Sequence, residues 1–530
     1  MKVSLWVVCA LVLLGVISIH RVRAQEQQPS GTPTIKVTSA LVFLDVTVLD
    51  KKGHPIVSGL TKDDFTITED KEPQTIVSFE APEVHVGRAD PEDANPSGKA
   101  PATILVMDQL NSRWEDFAYI REEVERFLKA QPQRLPSPTE LLVVGNESLE
   151  MLKSFTQSKE DLLEALKHFP SALPYKINPV FGGERFGQSL DALQQIALQN
   201  KGVPGRKSIV WVGHGSPNLY LEPLVFPEKL LGELKQYVHS TTNMLVDARI
   251  SLFVIYPGLP VRGNVMSFSA AQAGIDIGDD PFAGDVNFGI FANETGGKLF
   301  YNRNYVDTEI KESEQMGAQY YTLTYQPREV DPDGRFRRVR VTLRDVNLRA
   351  VTKAGYYAPD AHAPIDPRQQ QQIKLVEAVE STIPFDALDV SLSGVVRHPD
   401  SQTAEFNVQL KSENLGFQAS DDGKSVAKLI VAAASLNQYG NILASRTETV
   451  TLLAHALHPS HLPEVASQFR IMLRVPRKTR RVRVILEAED GGRIGSAELD
   501  RKMINAAPAT ETPRPPLEGR PPASEGSPLH

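Results

Sequence analysis

The chain has 530 residues, of which 41% are hydrophobic and 23% charged, and its formal net charge is −8. This composition is typical of several ordinary globular domains and excludes collagen, coiled coil and global disorder. The acidic balance, with its few basic clusters on alternating strand patterns, also argues against nucleic acid as a partner.

Residues 1–24 predict a secretory signal peptide. A lysine near the start precedes an almost wholly apolar run, Val3–Ile19, and Val22-Arg-Ala24 is an A-x-A-like cleavage site. The alternative is an uncleaved anchor, but the apolar run is at the short limit for crossing a bilayer. Cleavage removes three positive charges, which moves the formal charge from −8 to −11, and also the single cysteine, Cys9. We therefore expect an exported, thiol-free protein, periplasmic or extracellular, without a membrane span after signal removal.

Shifts in composition and hydrophobic periodicity divide the rest of the chain. Alternating β-branched strands come first, continuous apolar strands alternating with helices follow, and alternating strands return towards the carboxyl terminus. The predicted order is a signal peptide at 1–24, a linker at 25–34, a small β unit at 35–80, a linker at 81–100, an α/β domain at 101–318, a β extension at 319–358, a linker at 359–374, an all-β sandwich-like domain at 375–503 and a disordered tail at 504–530.

The α/β domain is predicted to contain a doubly wound, mostly parallel sheet. Continuous apolar strands separated by helices are typical of βαβ units whose sheet is buried on both faces. The predicted strands are 103–108, 141–144, 208–212, 250–256 and 298–301, and the predicted helices are 114–128, 159–168, 189–199 and 228–248. Binding sites in such sheets lie at the carboxyl ends of the strands. Candidate site residues are therefore expected in the loops that follow the strands.

Three stretches, in order along the chain, resemble segments of a known family. They are Val46–Asp70, Pro204–Val212, and Tyr320–Tyr325 with the downstream Asp333–Arg337 and Gly355–Tyr357. Together they resemble the von Willebrand factor A-related domain proteins of the acidobacterial type, over roughly residues 35–358. The resemblance implies an exported protein with an A-type, Rossmann-like α/β domain.

A-type domains commonly carry a metal-ion-dependent adhesion site, in which a strand-end Asp-x-Ser-x-Ser and two further loops ligate a divalent cation. The resemblance places Asp108 and Ser112 in that motif, with Leu110 replacing the middle serine, and Ser189 in the position of a threonine in a loop. His214 stands where a second aspartate is expected. One carboxylate, two hydroxyls and an imidazole form a weak ligand set for Mg²⁺ or Mn²⁺. The resemblance therefore implies a degenerate metal site.

A metal-free ligand surface at the same rim is the favoured alternative. In that interpretation Ser112 caps the following helix, because Ser112-Arg-Trp-Glu115 is a capping box, and Asp108 accepts hydrogen bonds from backbone donors of the adjoining loops. The predicted ligand-binding rim consists of Asp108, Asn111, Ser112, Ser189, His214, Ser216 and Asn218, with the acidic, glycine-rich loop 258–287 beside it.

Three functional hypotheses follow from this rim. The first is a non-enzymatic binding or adhesion-type module for an unknown protein or cell-surface ligand. The second is a hydrolase or enzyme subunit that uses Asp108, His214 and Ser216, although no Gly-x-Ser-x-Gly sequence occurs. The third is a structural component of a cell-envelope assembly.

Overall fold

A computed structural model describes most of the chain from residue 41 onwards. The described residues are 41–85, 101–170, 173–220, 227–257, 280–282, 285–301, 305–328, 331–361, 367–411, 415–419, 425–454, 466–489 and 491–509. The predicted signal peptide, the linker at 25–34, most of the linker at 81–100, most of the loop 258–287 and most of the tail lie outside them. No helix within these residues is both long enough and apolar enough to span a membrane.

The chain forms two compact units that meet in sequence near residue 369. The strands of the first unit are β1 (Val42–Leu49), β2 (Phe65–Glu69), β3 (Glu72–Gln74), β4 (Ile76–Glu80), β5 (Ala102–Asp108), β6 (Arg134–Val144), β7 (Leu149–Ser158), β8 (Lys207–Val212), β9 (Leu219–Tyr220), β10 (Ile250–Ile255), β11 (Asp285–Val286), β12 (Lys298–Phe300), β13 (Tyr321–Tyr325), β14 (Phe336–Leu343), β15 (Arg349–Val351) and β16 (Gly355–Tyr357). Its helices are α1 (Pro82–His85), α2 (Trp114–Ala130), α3 (Lys159–His168), α4 (Gly182–Gln199), α5 (Glu228–Asp247), α6 (Phe288–Glu294) and α7 (Val306–Ala318), with 3-10 turns at Lys62–Asp64 and Pro179–Phe181.

A six-stranded, mostly parallel sheet lies at the centre of the first unit. Its strand order is β12-β10-β8-β5-β6-β7, and only β7 is antiparallel to its neighbour. The expectation of a mostly parallel α/β sheet is therefore confirmed. From β5 the chain continues to β6 on one side, and from β8 it continues to β10 on the other. The loops after β5 and β8 therefore diverge at a topological switch point, where open α/β sheets bind ligands.

Helices cover both faces of this sheet. Phe117 of α2, Leu162 of α3 and Ile310 of α7 share one hydrophobic core with alternate sheet residues such as Val210. On the other face, Trp211 packs against Phe288 of α6 with ring centroids 4.7 Å apart. A two-sided core explains why these strands are continuous apolar runs rather than alternating patterns.

The small β unit and the β extension, predicted as separate segments, pair with each other. They form two four-stranded sheets, β15-β1-β13-β4 and β16-β14-β2-β3, in which every described pairing is antiparallel. The two sheets share a core that includes Val46, Ile67, Leu323 and Val339. Residues 41–80 and 320–358 are therefore one structural element, interrupted in sequence by the parallel sheet.

Arg206 connects this element to the central sheet. The side chain is 1% exposed, and its guanidinium donates to Thr47 Oγ1 of β1 at 2.7 Å and to Ser251 Oγ of β10 at 2.9 Å. It also donates to the carbonyl oxygens of Gly296 and Met316. A buried guanidinium is tolerated only when its donors are satisfied in this way.

The second unit is mostly β. Its elements are α8 (Pro367–Glu380), β17 (Val390–His398), β18 (Thr403–Lys411), β19 (Gln418–Ala419), β20 (Ser425–Leu436), β21 (Ile442–Ala454), β22 (Ala466–Arg474), β23 (Arg481–Ala488), β24 (Ile494–Asp500) and α9 (Arg501–Ala506). A three-stranded antiparallel sheet, β17-β18-β22, and a five-stranded one formed by β19, β20, β21, β23 and β24 share a core that includes Phe406, Val431, Ile471 and Val484.

Two predictions about this region need correction. Residues 367–374 belong to α8 rather than to a polar linker, because Leu375, Ala378 and Val379 are buried and the glutamines before them continue the same helix. The disordered tail predicted from 504 onwards is wrong for its first residues, since α9 continues to Ala506 and Ile504 is 2% exposed.

Candidate functional site

The candidate site lies at the carboxyl ends of β5 and β8, on either side of the switch point. Asp108, the last residue of β5, is fully buried. Its Oδ1 accepts from the backbone N–H of Asn111 at 2.9 Å, and its Oδ2 accepts from Trp211 Nε1 at 3.1 Å and from the backbone N–H of Gly215 at 2.8 Å. Burial raises the pKa of Asp108, while the hydrogen bonds from Asn111 and Trp211 oppose that rise.

Asp108 therefore connects the loop after β5 to the loop after β8. The prediction that it accepts hydrogen bonds from backbone donors of adjoining loops is confirmed, because the N–H groups of Asn111 and Gly215 both donate to it. Gly213 allows this contact: its φ is +149°, and a Cβ there would lie 2.3 Å from the Cβ of Asp108.

The Asn111 side chain joins Asp108 to α4. Its Nδ2 lies 3.2 Å from both carboxylate oxygens of Asp108 and donates to Ser189 Oγ at 3.0 Å. Ser189 Oγ in turn donates to the carbonyl oxygen of Arg185 at 2.8 Å, and Arg185 NH1 donates to Asn111 Oδ1 at 3.2 Å. The structure thus brings Asp108, Asn111 and Ser189 together, as the sequence predicted, and adds Arg185.

Ser189 lies seven residues after the start of α4, whereas the predicted helix began at Ser189 and the resemblance placed this residue in a loop. Helix α4 begins at Gly182, because Phe186, Leu190 and Leu193 recur at helical spacing and are buried. The glycines of this segment suggested a loop, but beyond the adjoining residues and the backbone of the helix no described atom lies within 4 Å of a Cβ placed at Gly182 or Gly187, so neither position requires glycine for close packing. Arg185 was not predicted, because a loop at this position would not direct its side chain towards Asn111.

Two hydroxyls beside this network have no hydrogen-bond partner among the described residues. Ser112 is fully buried and Ser216 is 7% exposed, and neither Oγ is paired. The prediction that Ser112 caps the following helix is wrong, since Arg113 occupies the cap position of α2 and no side chain caps it. A buried hydroxyl without a partner costs about 1–3 kcal/mol, so a ligand that reached these hydroxyls would gain by pairing them.

His214 and Asn218 lie further out in the loop after β8. The His214 ring is 37% exposed, and its Nε2 is 4.0 Å from Asp116 Oδ2. The ring stacks on Tyr256 at a centroid distance of 5.8 Å. Asn218 is exposed, and within the described part of the chain no hydrogen bond connects it to Asp108.

The predicted contribution of the loop 258–287 falls mostly outside the described residues. Two acidic residues of the loop, Asp276 and Asp279, are among the residues that the structure does not describe. Asp280 is described, and its Oδ1 accepts from the Tyr357 hydroxyl at 2.8 Å while its Oδ2 is 3.4 Å from His239 Nε2. Asp280 is therefore engaged with α5 and β16 and not with the Asp108 network.

These side chains do not fit a divalent cation. Asp108 supplies the carboxylate of the network and already accepts hydrogen bonds on both oxygens, while Leu110 is fully buried and apolar. The Asn111 amide lies between Asp108 and Ser189, and the nearby Arg185 is itself a cation. The described residues contain no group of three or more His, Cys, Asp or Glu side chains placed to hold a metal. A hard dication requires several free oxygen ligands, and this arrangement does not supply them.

Exposed apolar side chains lie at the same edge of the sheet as the network, a feature that the sequence patterns did not reveal. Seven of them lie at the start of α2, between α3 and α4, or between β12 and α7, and we call them the apolar collar. The collar consists of Trp114, Leu173, Tyr175, Ile177, Val180, Tyr301 and Tyr305, which are between 36% and 70% exposed. The hint in the sequence was the apolar character of 173–180 between two helices.

Contacts to the turn after β6 place the segment 173–180 at this edge. Asn146 Nδ2 donates to the Leu173 carbonyl oxygen at 2.9 Å, and Gln188 Nε2 donates to the carbonyl oxygens of Asn146 and Glu147 at 3.3 Å. Tyr301 directly follows β12. The collar therefore occupies the same edge of the sheet as Asp108.

Comparisons with known proteins add little to the geometry. No protein-family model and no curated protein sequence matches the chain. One similar solved structure is the crystal structure of the SpRpn10 VWA domain; it is 16% identical, and the match covers 41% of this chain and 96% of that chain with a TM-score of 0.20. A similarity at this TM-score supports no argument about the site.

Proposed function

We propose that this protein is an exported, non-enzymatic binding module of the von Willebrand factor A type, whose protein ligand docks on the carboxyl edge of the parallel sheet. The apolar collar, at the same edge of the sheet as the Asp108 network, carries the proposal. Aromatic side chains are enriched in protein interfaces relative to the rest of the surface. The position of this edge at a topological switch point is further support.

The A-type assignment and the sandwich-like second unit belong to the same proposal. Three features support the A-type assignment: the order of the six strands, the helices on both faces, and the three motifs between residues 46 and 357. The sandwich-like assignment of the second unit is supported by its two antiparallel sheets, which share one core. Export rests on the signal-like residues 1–24, and mass spectrometry of the purified native protein would then find Gln25 as its first residue.

The hydrolase alternative has less support. Ser216 Oγ forms no hydrogen bond with a base among the described residues, and His214 Nε2 lies beside Asp116 instead. A nucleophilic serine needs a base within hydrogen-bond reach, although such contacts are often loose in ligand-free enzymes.

Site-specific photo-crosslinking tests the proposed face. A photoreactive amino acid is introduced at Tyr305 in the full chain, expressed in the cells that naturally produce it. Val346 is the matched control, because it is 90% exposed but lies on the turn after β14, outside the collar. We expect a discrete crosslinked protein from position 305 and none from position 346. The same product from both positions, or none from position 305, would contradict the proposal.

A further inference from the structure

We infer that one end of the second unit docks on an anionic lipid bilayer. This surface, which we call the basic end, lies in a different unit from the apolar collar, so the inference goes beyond the proposed function and does not depend on it. The basic end is defined by seven cations on strand ends, a turn and α9: Arg474, Arg477, Lys478, Arg480, Arg481, Arg501 and Lys502. The chain as a whole is acidic, with a formal net charge of −8, so this concentration of positive charge is local.

Backbone contacts bring these cations together. β22 ends at Arg474, and in the turn that follows it the Thr479 N–H donates to the Pro476 carbonyl oxygen at 3.0 Å. The Arg501 N–H donates to the Arg480 carbonyl oxygen at 2.8 Å, and the Arg501 guanidinium donates to the Pro476 carbonyl oxygen at 2.8 Å. The start of α9 therefore lies against the turn between β22 and β23, so the cations of both segments share one end of the unit.

Positive charge exceeds negative charge at this end. Residues 474–481 contain five basic residues and no acidic one. Three acidic residues, Asp400, Glu498 and Asp500, lie at the same end, because Asp500 pairs with the start of β23 and Asp400 lies on the turn before β18. Glu498 is already paired with two arginines of β23. The remaining carboxylates are too few to neutralise the basic end.

Most of these cations are available to a ligand. Five of them are exposed, and no hydrogen bond or ion pair within the described residues engages their side chains: Arg474, Arg477, Lys478, Arg480 and Lys502. Arginine binds phosphate oxygens through two parallel hydrogen bonds, and lysine binds them as a point charge. Each such cation near an anionic bilayer strengthens adsorption about fivefold. Phosphate groups of lipids are therefore a ligand that fits this surface.

Exposed apolar side chains flank the basic end and favour a bilayer over a soluble polyanion. Tyr439 is 78% exposed on the turn after β20, and the carbonyl oxygen of Leu436, the last residue of β20, accepts from the Arg480 N–H at 2.7 Å. Met503 is 60% exposed and follows Arg501 by two residues on α9. Tyrosine is enriched where lipid headgroups meet acyl chains, and apolar residues beside basic ones strengthen adsorption there. A soluble polyanion would leave Tyr439 and Met503 exposed to water.

Vesicle sedimentation tests the inference. The chain without residues 1–24, whose apolar run would itself bind lipid, is mixed with vesicles of phosphatidylcholine alone or with an equal part of phosphatidylglycerol. We expect at least about tenfold tighter binding to the anionic vesicles, and weaker binding as salt screens the cations.

Charge reversal at the basic end should remove this binding. A variant with both Arg477→Glu and Lys478→Glu should bind anionic vesicles weaker by roughly twentyfold or more, since each cation contributes about fivefold. The matched control carries Arg335→Glu and Arg340→Glu, which change the net charge equally at exposed positions of the first unit, and it should retain wild-type binding. An equal loss in both variants would overturn the inference, because it would assign the binding to total charge.

A further variant distinguishes a bilayer from a soluble polyanion. Tyr439→Ser should weaken binding to anionic vesicles at least about threefold and leave binding to heparin, a soluble polyanion, unchanged. Vesicle binding that is insensitive to Tyr439→Ser, together with equal or tighter binding to heparin, would assign the basic end to a soluble polyanion and overturn the inference. The same conclusion follows if the wild type does not prefer anionic vesicles to neutral ones, and that comparison remains decisive even if a variant is unstable.

Discussion

Gly213 lies so close to Asp108 that a Cβ at position 213 would be 2.3 Å from the Asp108 Cβ. The loop after β8 can therefore approach the end of β5 only where position 213 has no side chain. This proximity lets the Gly215 N–H reach Asp108 Oδ2 at 2.8 Å. The binding face proposed for this edge depends on that contact, because it aligns the two loops at the switch point.

Gly213→Ala should destabilise the first unit by roughly 2–4 kcal/mol, from steric overlap and from an unfavourable φ. Urea unfolding followed by tryptophan fluorescence measures the effect. The fluorescence reports the first unit alone, since no tryptophan occurs after Trp211. Gly232→Ala in α5 is the control: beyond the adjoining residues and the backbone of α5, no described atom lies within 4 Å of a Cβ placed there, so we expect a gain of about 0.5–1 kcal/mol. Equal midpoints for the two variants would show that the Gly213 contact is unimportant.

Arg206→Met should destabilise the first unit by about 3 kcal/mol or more. The change removes the guanidinium that donates to Thr47, Ser251 and two carbonyl oxygens, so these buried groups lose hydrogen bonds, although Thr47 Oγ1 still donates to the Met316 carbonyl oxygen. The same urea titration measures it. Arg335→Met is the control, since that side chain is 82% exposed and a loss of no more than about 0.5 kcal/mol is expected. A similar loss in both variants would contradict the role assigned to Arg206.

Glu294→Gln should stabilise the first unit at pH 8 but not at pH 4. Burial raises the pKa of Glu294 to about 7 from 4.5. Between pH 4.5 and pH 7 the Glu294 carboxyl has lost its proton in the unfolded chain but retains it in the folded protein. The free energy of unfolding therefore falls as the pH rises from 4.5 to 7. Glutamine removes this penalty, which is up to about 3 kcal/mol. Unfolding free energies across this pH range test the prediction, and a constant difference between variant and wild type would refute it.

Divalent cations should not stabilise the protein. Because Asp108, Asn111 and Ser189 satisfy one another, we expect Mg²⁺, Mn²⁺ and EDTA to leave the thermal midpoint of the wild type within about 1 °C, whereas a bound ion would raise it with concentration. Asp108→Ala should lower the midpoint, since it leaves the Trp211 and Gly215 donors unpaired. A rise with Mn²⁺ that Asp108→Ala abolishes would restore the metal-site hypothesis.

Local sequence patterns predicted the central strands and several helices well. Helix α3 has the predicted bounds, and β5, β8 and β10 differ from prediction by one residue at an end. Elements with weaker local signals were missed. β6 begins at Arg134, seven residues before the predicted strand, although Pro136 and Pro138 lie within it, and α7 has a largely polar exposed surface. In both cases tertiary packing outweighed local propensity.

The candidate site was only partly predictable. The rule that ligands bind at strand ends led to Asp108 and to the loop after β8, and the family resemblance suggested Ser189. Nothing local connects Arg185 to Asn111, which is 74 positions away, or shows that Ser112 has no partner among the described residues. The collar was missed for a similar reason, since an apolar residue in a loop does not reveal whether it is covered.

The order of strands and helices can be derived from the amino-acid sequence alone, because hydrophobic period and turn residues act over a few positions. The pairing of β1 with β13 cannot, although Asp45 and Thr322 are register partners 277 residues apart. That pairing became visible only in the folded chain, as did the convergence of Asp108, Asn111, Ser189 and Arg185. Both depend on distant segments burying their surfaces together, and no local pattern encodes that free energy.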